Sequence, residues 1–375
     1  MKNIQRILIV GVIFSCACMQ VCYAKDPEKN EPTEGTFAGV PYVDNIPLPE
    51  AVALCGETVP IDRQSVRERL DREFTIMVWD RPQVFLWLKR ANRYFPYIEK
   101  QLAQAGLPDD LKYLAVAESA LLSHSRSPAG ATGYWQFMPK TGDSKGLRRD
   151  NFLDERYSLE HSTPAALRYL KECHDMLGSW TLAMAAYNCG EQRVQQTIAT
   201  QKVNDYYRLK LPGETERYIF RIAAIKIILE NPERYGYRIP REELYPPVEC
   251  DVIDLNIPSG IHIVDLAIAS GTDYKTIRDL NPQFNDYYFP SGTYTIKVPA
   301  GLGPVFLEQV TRFSAAAKKP VPPALNPDDG YYTVRPGDTL SHIAERTGVP
   351  VKTLKELNGL KDATIKMGKK LKLKP

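Results

Sequence analysis

The chain has 375 residues, of which 43% are hydrophobic and 25% are charged, and its formal net charge is +3. These proportions are ordinary for globular protein, and the length predicts two or three domains. So small a net charge, without interleaved basic and aromatic residues, gives no basis for binding nucleic acid, and we exclude that class of partner.

Residues 1–24 are predicted to be a secretory signal peptide. The segment has a basic start (MKNIQR), an apolar run from Ile7 to Cys18, and small residues at Cys22 and Ala24, as cleavage requires. The apolar run is too short to span a bilayer. We therefore expect an exported, monomeric protein of the periplasm or cell envelope.

Cysteines bear on both anchoring and disulfide formation. A lipid on Cys16 or Cys18 would make the protein a membrane-tethered lipoprotein, and we rank this second to free export. Four cysteines remain after cleavage, and they permit three pairings in an oxidising compartment. These four are Cys55, Cys173, Cys189 and Cys250. The sequence does not decide between a disulfide and free thiols. No Cys or His spacing indicates a metal site, and we expect no cofactor.

The next segments differ in pattern. Residues 25–62 are rich in Pro, Glu, Gly and Thr, and we predict an extended lead-in there. Residues 63–244 carry successive amphipathic helical patterns, such as PQVFLWLKRANRYFPYIEKQLAQAG, whereas strand patterns are scarce. This part of the chain is therefore predicted to be a mainly α domain.

An internal repeat follows the helical region. Within the two copies, 247–300 and 331–375, residues 256–282 align without a gap on residues 333–359, so that Asn281 falls on Asn358, and two glycines and one alanine also match. Each copy is predicted to run strand, helix, helix, strand. Residues 301–330, rich in Pro, Ala and Lys, are predicted to be a semi-rigid linker.

Glu118 interrupts an apolar helix face. It follows Leu111, Leu114 and Ala115 at helical spacing, and a carboxyl group in such a place is desolvated. Desolvation raises the pKa of a carboxyl group, which suits Glu118 as a general acid toward a glycosidic oxygen. Downstream, SPAGATGYWQFMPKTG offers glycines, aromatic rings and an amide, the groups that a sugar site uses.

A single carboxylate limits the chemistry. Hydrolytic glycosidases need a second carboxylate, and nothing in the sequence presents Asp143 as that partner of Glu118. One carboxylate suffices when the substrate supplies its own nucleophile. The C6 hydroxyl of muramic acid can do so by closing onto C1, with the glutamate acting first as acid and then as base.

Four motifs in order carry a family resemblance. Glu118-Ser119, SPAGATGYWQFMP, AAYNCG and ETERY resemble the soluble lytic transglycosylase family, closest to its membrane-bound D type. The resemblance implies a lysozyme-like fold with Glu118 as the catalytic residue. It also implies that six residues contact substrate: Ser127, Gln136, Met138, Tyr187, Asn188 and Tyr218.

The repeat has its own resemblance. YTVRPGDTLSHIAERTGVPVKTLKELNGL, within residues 331–375, is similar to LysM modules, which bind N-acetylglucosamine-containing glycans. The copy at 247–300 is degenerate, because Ile261-His262 replace the Asp338-Thr339 of the second copy. The expected fold class is thus a mainly α lysozyme-like catalytic domain followed by two small α+β (βααβ) LysM-type modules.

Together these features predict an exported peptidoglycan lytic transglycosylase. It would cleave the β-1,4 bond from N-acetylmuramic acid to N-acetylglucosamine and leave a 1,6-anhydromuramoyl end, with glycan strands of the wall as its partner. Two alternatives stay open. One is a lysozyme-type muramidase, which is a hydrolase, and the other is a non-catalytic scaffold that binds peptidoglycan.

Overall fold

The structure is a computed structural model, and it describes most of the chain from residue 45 onward. The described ranges are 36–37, 40–41, 45–150, 152–258, 260–317, 330–334, 338–360, 362–366 and 368–374. The predicted signal peptide (1–24), including Cys16 and Cys18, lies outside these residues. The chain divides into two units, Met1–Pro47 and Leu48–Pro375. In the first unit, β1 (Thr36–Phe37) pairs antiparallel with β2 (Val40–Pro41).

The second unit opens with a small hairpin that is packed into the protein. Strand β3 (Ala53–Leu54) pairs antiparallel with β4 (Glu57–Thr58). The apolar side chains of this stretch are buried, namely Leu48, Val52, Leu54, Val59 and Ile61. The prediction of an extended lead-in over 25–62 is therefore wrong from Leu48 onward, because its apolar side chains alternate into a core.

Eight helices follow in the described residues 64–150 and 152–230, and the prediction of a mainly α domain is confirmed. They are α1 (Gln64–Trp79), α2 (Arg81–Ala105), α3 (Lys112–Ser119), α4 (Pro139–Ser144), α5 (Leu159–Leu177), α6 (Trp180–Cys189), α7 (Glu191–Gln201) and α8 (Thr215–Glu230). Short 3-10 turns lie at Asp109–Leu111, Glu155–Tyr157, Tyr206–Arg208, Pro232–Tyr235 and Arg241–Glu243. Helix α8 is apolar on nearly every face and packs against α1, α3 and α6, as a central helix should.

Residues 250–317, here called the first module, form a second core. Strands β5 (Cys250–Ile257) and β8 (Gly292–Pro299) pair antiparallel along their whole length. Between them lie β6 (Ile261–His262), α9 (Ile263–Ala269), α10 (Tyr274–Leu280) and β7 (Tyr288–Phe289), and α11 (Gly303–Ala317) follows. Phe306 and Val310 of α11 are buried in this core. The prediction of a linker over 301–330 is wrong for 303–317, and 318–329 lie outside the described residues.

Residues 330–374, the second module, have a core of their own. Strand β9 (Tyr331–Thr333) pairs antiparallel with β10 (Lys370–Lys372), and α12 (Leu340–Thr347) and α13 (Val351–Asn358) lie between them in sequence. The core side chains include Tyr332, Leu340, Ile343, Leu354 and Leu371. The second module therefore follows the order strand, helix, helix, strand.

The repeated asparagine has the same structural task in both modules. Asn281 receives a hydrogen bond from the Lys297 N–H (2.8 Å) and donates one to the Lys297 carbonyl oxygen (2.8 Å). Asn358 makes the same pair of bonds with Lys372, at 2.7 and 2.9 Å. The side-chain amide thus mimics a neighbouring strand, which explains why Asn stands at this position in each copy.

The four described cysteines (Cys55, Cys173, Cys189 and Cys250) are free thiols in this structure, so none of the three pairings is formed. Burial raises the pKa of the Cys173 thiol to about 12. Among the residues that the structure describes, no helix combines the length and the apolar character needed to cross a bilayer.

The hairpin β3–β4 contributes directly to helix α6. The Glu57 carboxylate accepts hydrogen bonds from the Ser179 hydroxyl (2.9 Å) and from the Thr181 N–H (3.1 Å) and hydroxyl (3.0 Å). A carboxylate at a helix N-terminus satisfies N–H groups that have no partner in the helix and opposes the helix dipole favourably. Glu57 therefore fixes the start of the helix whose other end carries Tyr187 and Asn188.

We expect Glu57→Ala to lower the free energy of unfolding of the helical domain by about 1–3 kcal/mol, because it leaves those donors unpaired. The measurement is the midpoint of urea unfolding, followed by tryptophan fluorescence. Glu68→Ala, at an exposed site on α1, is the matched control and should change little. Equal midpoints for the two variants would show that Glu57 does not hold α6.

Candidate active site

A single cleft brings together all seven residues predicted to form the site. It has a volume of about 700 Å³ and lies among α3, α6, α8 and the loop before α4. Its lining includes Glu118, Ser127, Gln136, Met138, Tyr187, Asn188 and Tyr218. These residues come from four separate parts of the chain, so their convergence is a property of the fold.

Helix α3 presents Glu118 and then stops abruptly. Ala120 and Leu121 both adopt left-handed backbone angles, with φ of 53° and 59°, which residues with a Cβ atom rarely do. The Ser119 hydroxyl donates to the carbonyl oxygen of Tyr134 (2.8 Å), and the Arg90 guanidinium donates to that of Ala120 (3.1 Å). Such bonds hold a strained helix end in place, so Glu118 sits on the last rigid turn rather than on a frayed one.

Glu118 is half-buried at the wall of the cleft. Burial raises the pKa of its carboxyl group from the ordinary 4.5 to about 7. The hydrogen bond that the Tyr218 hydroxyl donates to its Oε1 lowers this pKa, the charge of Glu214 raises it, and the charge of Arg221 lowers it. Desolvation is the largest of these effects, so near neutral pH a substantial fraction of Glu118 carries a proton.

The segment Ser127–Met138, here called the cleft loop, forms one wall. The Ser127 hydroxyl accepts a hydrogen bond from the Ala131 N–H (3.0 Å), which closes a tight turn. Gln136 has a left-handed φ of 48°, and its side-chain amide donates to the carbonyl oxygens of Ser125 (3.1 Å) and Gly133 (2.8 Å). The loop is therefore held by its own polar groups.

Helices α6 and α8 supply the opposite wall. The Tyr187 hydroxyl donates to the Trp135 carbonyl oxygen (2.7 Å), which joins the end of α6 to the cleft loop. The Asn188 side-chain oxygen accepts from the Thr215 hydroxyl (2.7 Å), which fixes the orientation of that amide. Tyr218 is 2% exposed and has Glu118 as its partner.

The aromatic residues of the cleft loop are core residues. Trp135 is fully buried, and its indole N–H donates to the Thr163 hydroxyl (2.9 Å). Phe137 is 2% exposed, and the Tyr134 ring packs edge-on against Tyr94. Trp135 therefore offers no face to a sugar. Met138, which is exposed, is a large apolar side chain that a ligand can reach, beside the smaller Pro128 and Ala129 of the same loop.

Sequence reasoning missed two charged residues of the cleft. Glu214 and Arg221 line it beside Tyr218, with Glu214 exposed and Arg221 half-buried. Positions 214, 218 and 221 follow helical spacing and so share one face, a signal that was available in the sequence. Asp143 instead pairs with the Arg149 guanidinium at 3.1 Å and does not line the cleft.

The described part of the chain contains no candidate metal site. No group of three or more His, Cys, Asp and Glu side chains there is arranged to hold a metal ion.

We expect Tyr218→Phe to raise the pKa of Glu118 above about 7, because the variant removes a hydrogen bond that stabilises the carboxylate. The pKa can be followed by infrared spectroscopy of the protonated carboxyl group, as a difference from Glu118→Gln. Tyr169→Phe is the control, since the Tyr169 hydroxyl donates to Glu191. A lower pKa in Tyr218→Phe would contradict this assignment.

Comparisons with known proteins agree with these motifs. Residues 95–209 match the transglycosylase SLT domain, and residues 332–374 match the LysM domain. Glu214, Tyr218 and Arg221 lie beyond the first of these matches. The chain is 33% identical over 290 residues to membrane-bound lytic murein transglycosylase D of Escherichia coli (strain K12), covering 75% of this chain. The chain spans only 63% of the length of that relative.

Two further proteins are similar over part of the chain. A protein of Alteromonas sp. (strain M-1), named "Putative tributyltin chloride resistance protein", is 32% identical over 44% of this chain and 84% of its own length. The solved 70 kDa soluble lytic transglycosylase of Escherichia coli is 18% identical, with a TM-score of 0.30 over 46% of this chain and 30% of its own. On the domain matches and the relatives above 30% identity, this chain belongs to the transglycosylase SLT family and carries a LysM domain at 332–374.

Proposed function

We propose that this protein is a peptidoglycan lytic transglycosylase. It cleaves the β-1,4 bond from N-acetylmuramic acid to N-acetylglucosamine and forms 1,6-anhydromuramoyl ends. The observation that carries the proposal is Glu118, whose raised pKa of about 7 and position in a large cleft fit a general acid. The family membership and the murein transglycosylase named among the relatives support the same activity.

Glu118 serves both halves of the reaction. Its proton passes to the glycosidic oxygen as the bond from that oxygen to muramic C1 breaks, and an oxocarbenium-like centre develops at C1. The resulting carboxylate then accepts the proton of the C6 hydroxyl, whose oxygen closes onto C1. Glu118 ends protonated, and no water is consumed. A pKa near neutrality suits one group that must both give and take a proton.

The other cleft residues fit supporting roles. Tyr218 donates a hydrogen bond to Glu118 and so stabilises the carboxylate that forms after proton transfer. Ser127, Gln136 and Asn188 offer hydroxyl and amide groups for sugar hydroxyl and N-acetyl groups, and Met138 offers an apolar surface. Tyr187 holds the cleft loop through the Trp135 carbonyl oxygen.

The remaining expectations extend this proposal to the whole protein. The second module would retain the enzyme on glycan strands, as the LysM match supports. In the first module, paired strands β5 and β8 enclose two helices as β9 and β10 do in the second, with β6 and β7 added, and this order and the equivalent asparagine support a common origin of the two copies. Export through the signal peptide 1–24 to the periplasm or envelope, with a lipid tether as the second form, completes the proposed setting.

A lysozyme-type muramidase is the second candidate, and Glu214 is the observation that favours it. Glu214 lines the cleft and acts electrostatically on Glu118, so a second carboxylate is available to direct water. A hydrolase would leave free reducing ends, whereas a transglycosylase leaves none.

We expect Glu118→Gln to abolish cleavage of purified sacculi while binding to sacculi is retained. Gln keeps the size of the side chain but cannot donate the proton. Mass spectrometry of the digests should find products lighter by one water only with the unaltered protein. Free reducing ends, lost in Glu214→Gln, would establish the muramidase, and no product from the unaltered protein would establish the binding scaffold.

The raised pKa also predicts the pH dependence. Glu118 must be protonated to act as the acid, so kcat/KM should fall about tenfold for each pH unit above its pKa of about 7. The measurement is the initial rate on soluble glycan strands between about pH 5 and 9. In Tyr218→Phe this alkaline limb should move to higher pH, and a limb that stays in place would contradict the role of Glu118 as acid.

A further inference from the structure

One residue of the helical domain enters the core of the first module. Phe152, between α4 and α5, is 7% exposed and packs among three rings of that module. Its ring centroid lies 5.4 Å from Phe284, 4.7 Å from Phe289 and 5.3 Å from Tyr294. The core of the first module therefore includes a residue that belongs to the helical domain.

Backbone hydrogen bonds hold the same contact on both sides of Leu153. The Asn285 N–H donates to the Phe152 carbonyl oxygen (2.6 Å), and the Asp154 N–H donates to the Gln283 carbonyl oxygen (2.7 Å). Between them, Leu153 forms an antiparallel bridge with Phe284. Such a pairing fixes the register of the two segments, so the first module positions Asp154 directly.

Asp154 in turn fixes the position of the Arg156 side chain. Both side chains are 8% exposed, and the Asp154 carboxylate accepts from the Arg156 Nε (2.9 Å) and Nη2 (2.6 Å). A bidentate pair of this kind has one preferred geometry. Because both groups are buried, loss of either would leave an uncompensated charge.

Arg156 in turn holds the cleft loop. Its Nη1 donates to the carbonyl oxygens of Gly130 (3.1 Å) and Phe137 (2.9 Å). On the other side of the backbone, a Cβ atom at Gly133 would lie 1.9 Å from the Arg156 carbonyl oxygen, so only glycine fits there. The loop that carries Ser127, Gln136 and Met138 thus rests on Arg156.

We infer that the first module acts as a brace for the cleft loop, through Phe152, Asp154 and the positioning residue Arg156, rather than as an independent glycan-binding unit. Each step is a direct contact, from the Gln283–Asn285 backbone to Asp154, to Arg156, and to the carbonyl oxygens of the loop. The activity readout of this inference rests on the proposed function, whereas its structural readout does not.

The surface of the first module agrees with a structural role. Ile261-His262 replace the Asp338-Thr339 of the second module, at the start of the first helix in each copy. The Tyr288 side chain packs so closely over Gly260 that a Cβ atom there would lie 1.5 Å from its hydroxyl oxygen. The loop before α9 is therefore covered by the module's own tyrosine.

The test uses the full chain with Phe284→Ala, Phe284→Leu and Arg156→Lys. Hydrogen exchange is measured in the cleft loop and in α8, together with kcat and KM on soluble glycan strands. We expect Phe284→Ala to speed exchange in the cleft loop but not in α8, and to lower kcat about tenfold, since small misplacements in a site cost this much. Phe284→Leu, which keeps an apolar contact, should restore most of both. Arg156→Lys should loosen the loop while the first module remains ordered, because lysine lacks the planar fork.

Ile268→Ala, at a 62% exposed position of the first module, is the matched control and should leave exchange and kcat unchanged. If Phe284→Ala speeds exchange in β5 and β8 while the cleft loop and kcat stay as in the unaltered protein, the module is independent and the inference is wrong. If the unaltered protein makes no anhydro product but the loop still responds to Phe284→Ala, the brace stands and the proposed function is wrong.

Discussion

The buried ion pair of Asp154 and Arg156 is the interaction on which the cleft of the helical domain depends. One partner is placed by the backbone of the first module, and the other holds two carbonyl oxygens of the cleft loop. A buried pair of charges is costly unless its remaining hydrogen-bonding groups are also satisfied. Here the guanidinium meets that condition, because it also donates hydrogen bonds to the cleft loop. These hydrogen bonds help to offset the desolvation cost of the pair, and they order the loop at the same time. A change that breaks the ion pair is therefore expected to alter the shape of the cleft as well.

The cleft combines rigid and strained parts in a definite order. The glutamate stands on the last turn of α3, just before two residues with left-handed backbone angles. Its hydroxyl partner, Tyr218, comes from the central helix α8, which is buried on nearly every face. The loop opposite contains no helix or named strand, and the side-chain hydrogen bonds of Ser127, Gln136 and Arg156 reinforce its few backbone hydrogen bonds. The groups proposed to transfer the proton thus lie on the most rigid elements, while the groups proposed to contact sugars lie on the segment that needs support.

Sequence reasoning located the residues of the cleft and of the repeat where their position depends on local pattern or on a dense motif. Glu118 was identified because a carboxyl group broke an apolar helix face, and the repeat was visible because Asn281 and Asn358 do the same local task. It failed where the deciding contact was distant in the chain. The sequence around Trp135 does not predict that its indole N–H donates a hydrogen bond to Thr163. The sequence around Phe152 likewise does not predict that its ring packs against the aromatic rings of the first module. The helix 303–317 was overlooked because its Ala-rich end runs straight into a Lys- and Pro-rich stretch that is typical of a linker, although Phe306 and Val310 have helical spacing.

The desolvation that prepares Glu118 for its proposed work has a cost in folding. In the unfolded chain its carboxyl group titrates near 4.5, and in the folded protein near 7. As the pH rises between these values, the unfolded chain releases a proton that the folded protein keeps. The free energy of unfolding therefore falls over that interval. Above it the loss reaches about 3 kcal/mol, less the part that water in the cleft screens. The free energy of unfolding of a domain is usually about 5–15 kcal/mol, so this one side chain removes a sizeable share of it. Apolar burial by helix α8 and by the side chains of Leu48, Val52, Leu54, Val59 and Ile61 acts against this cost.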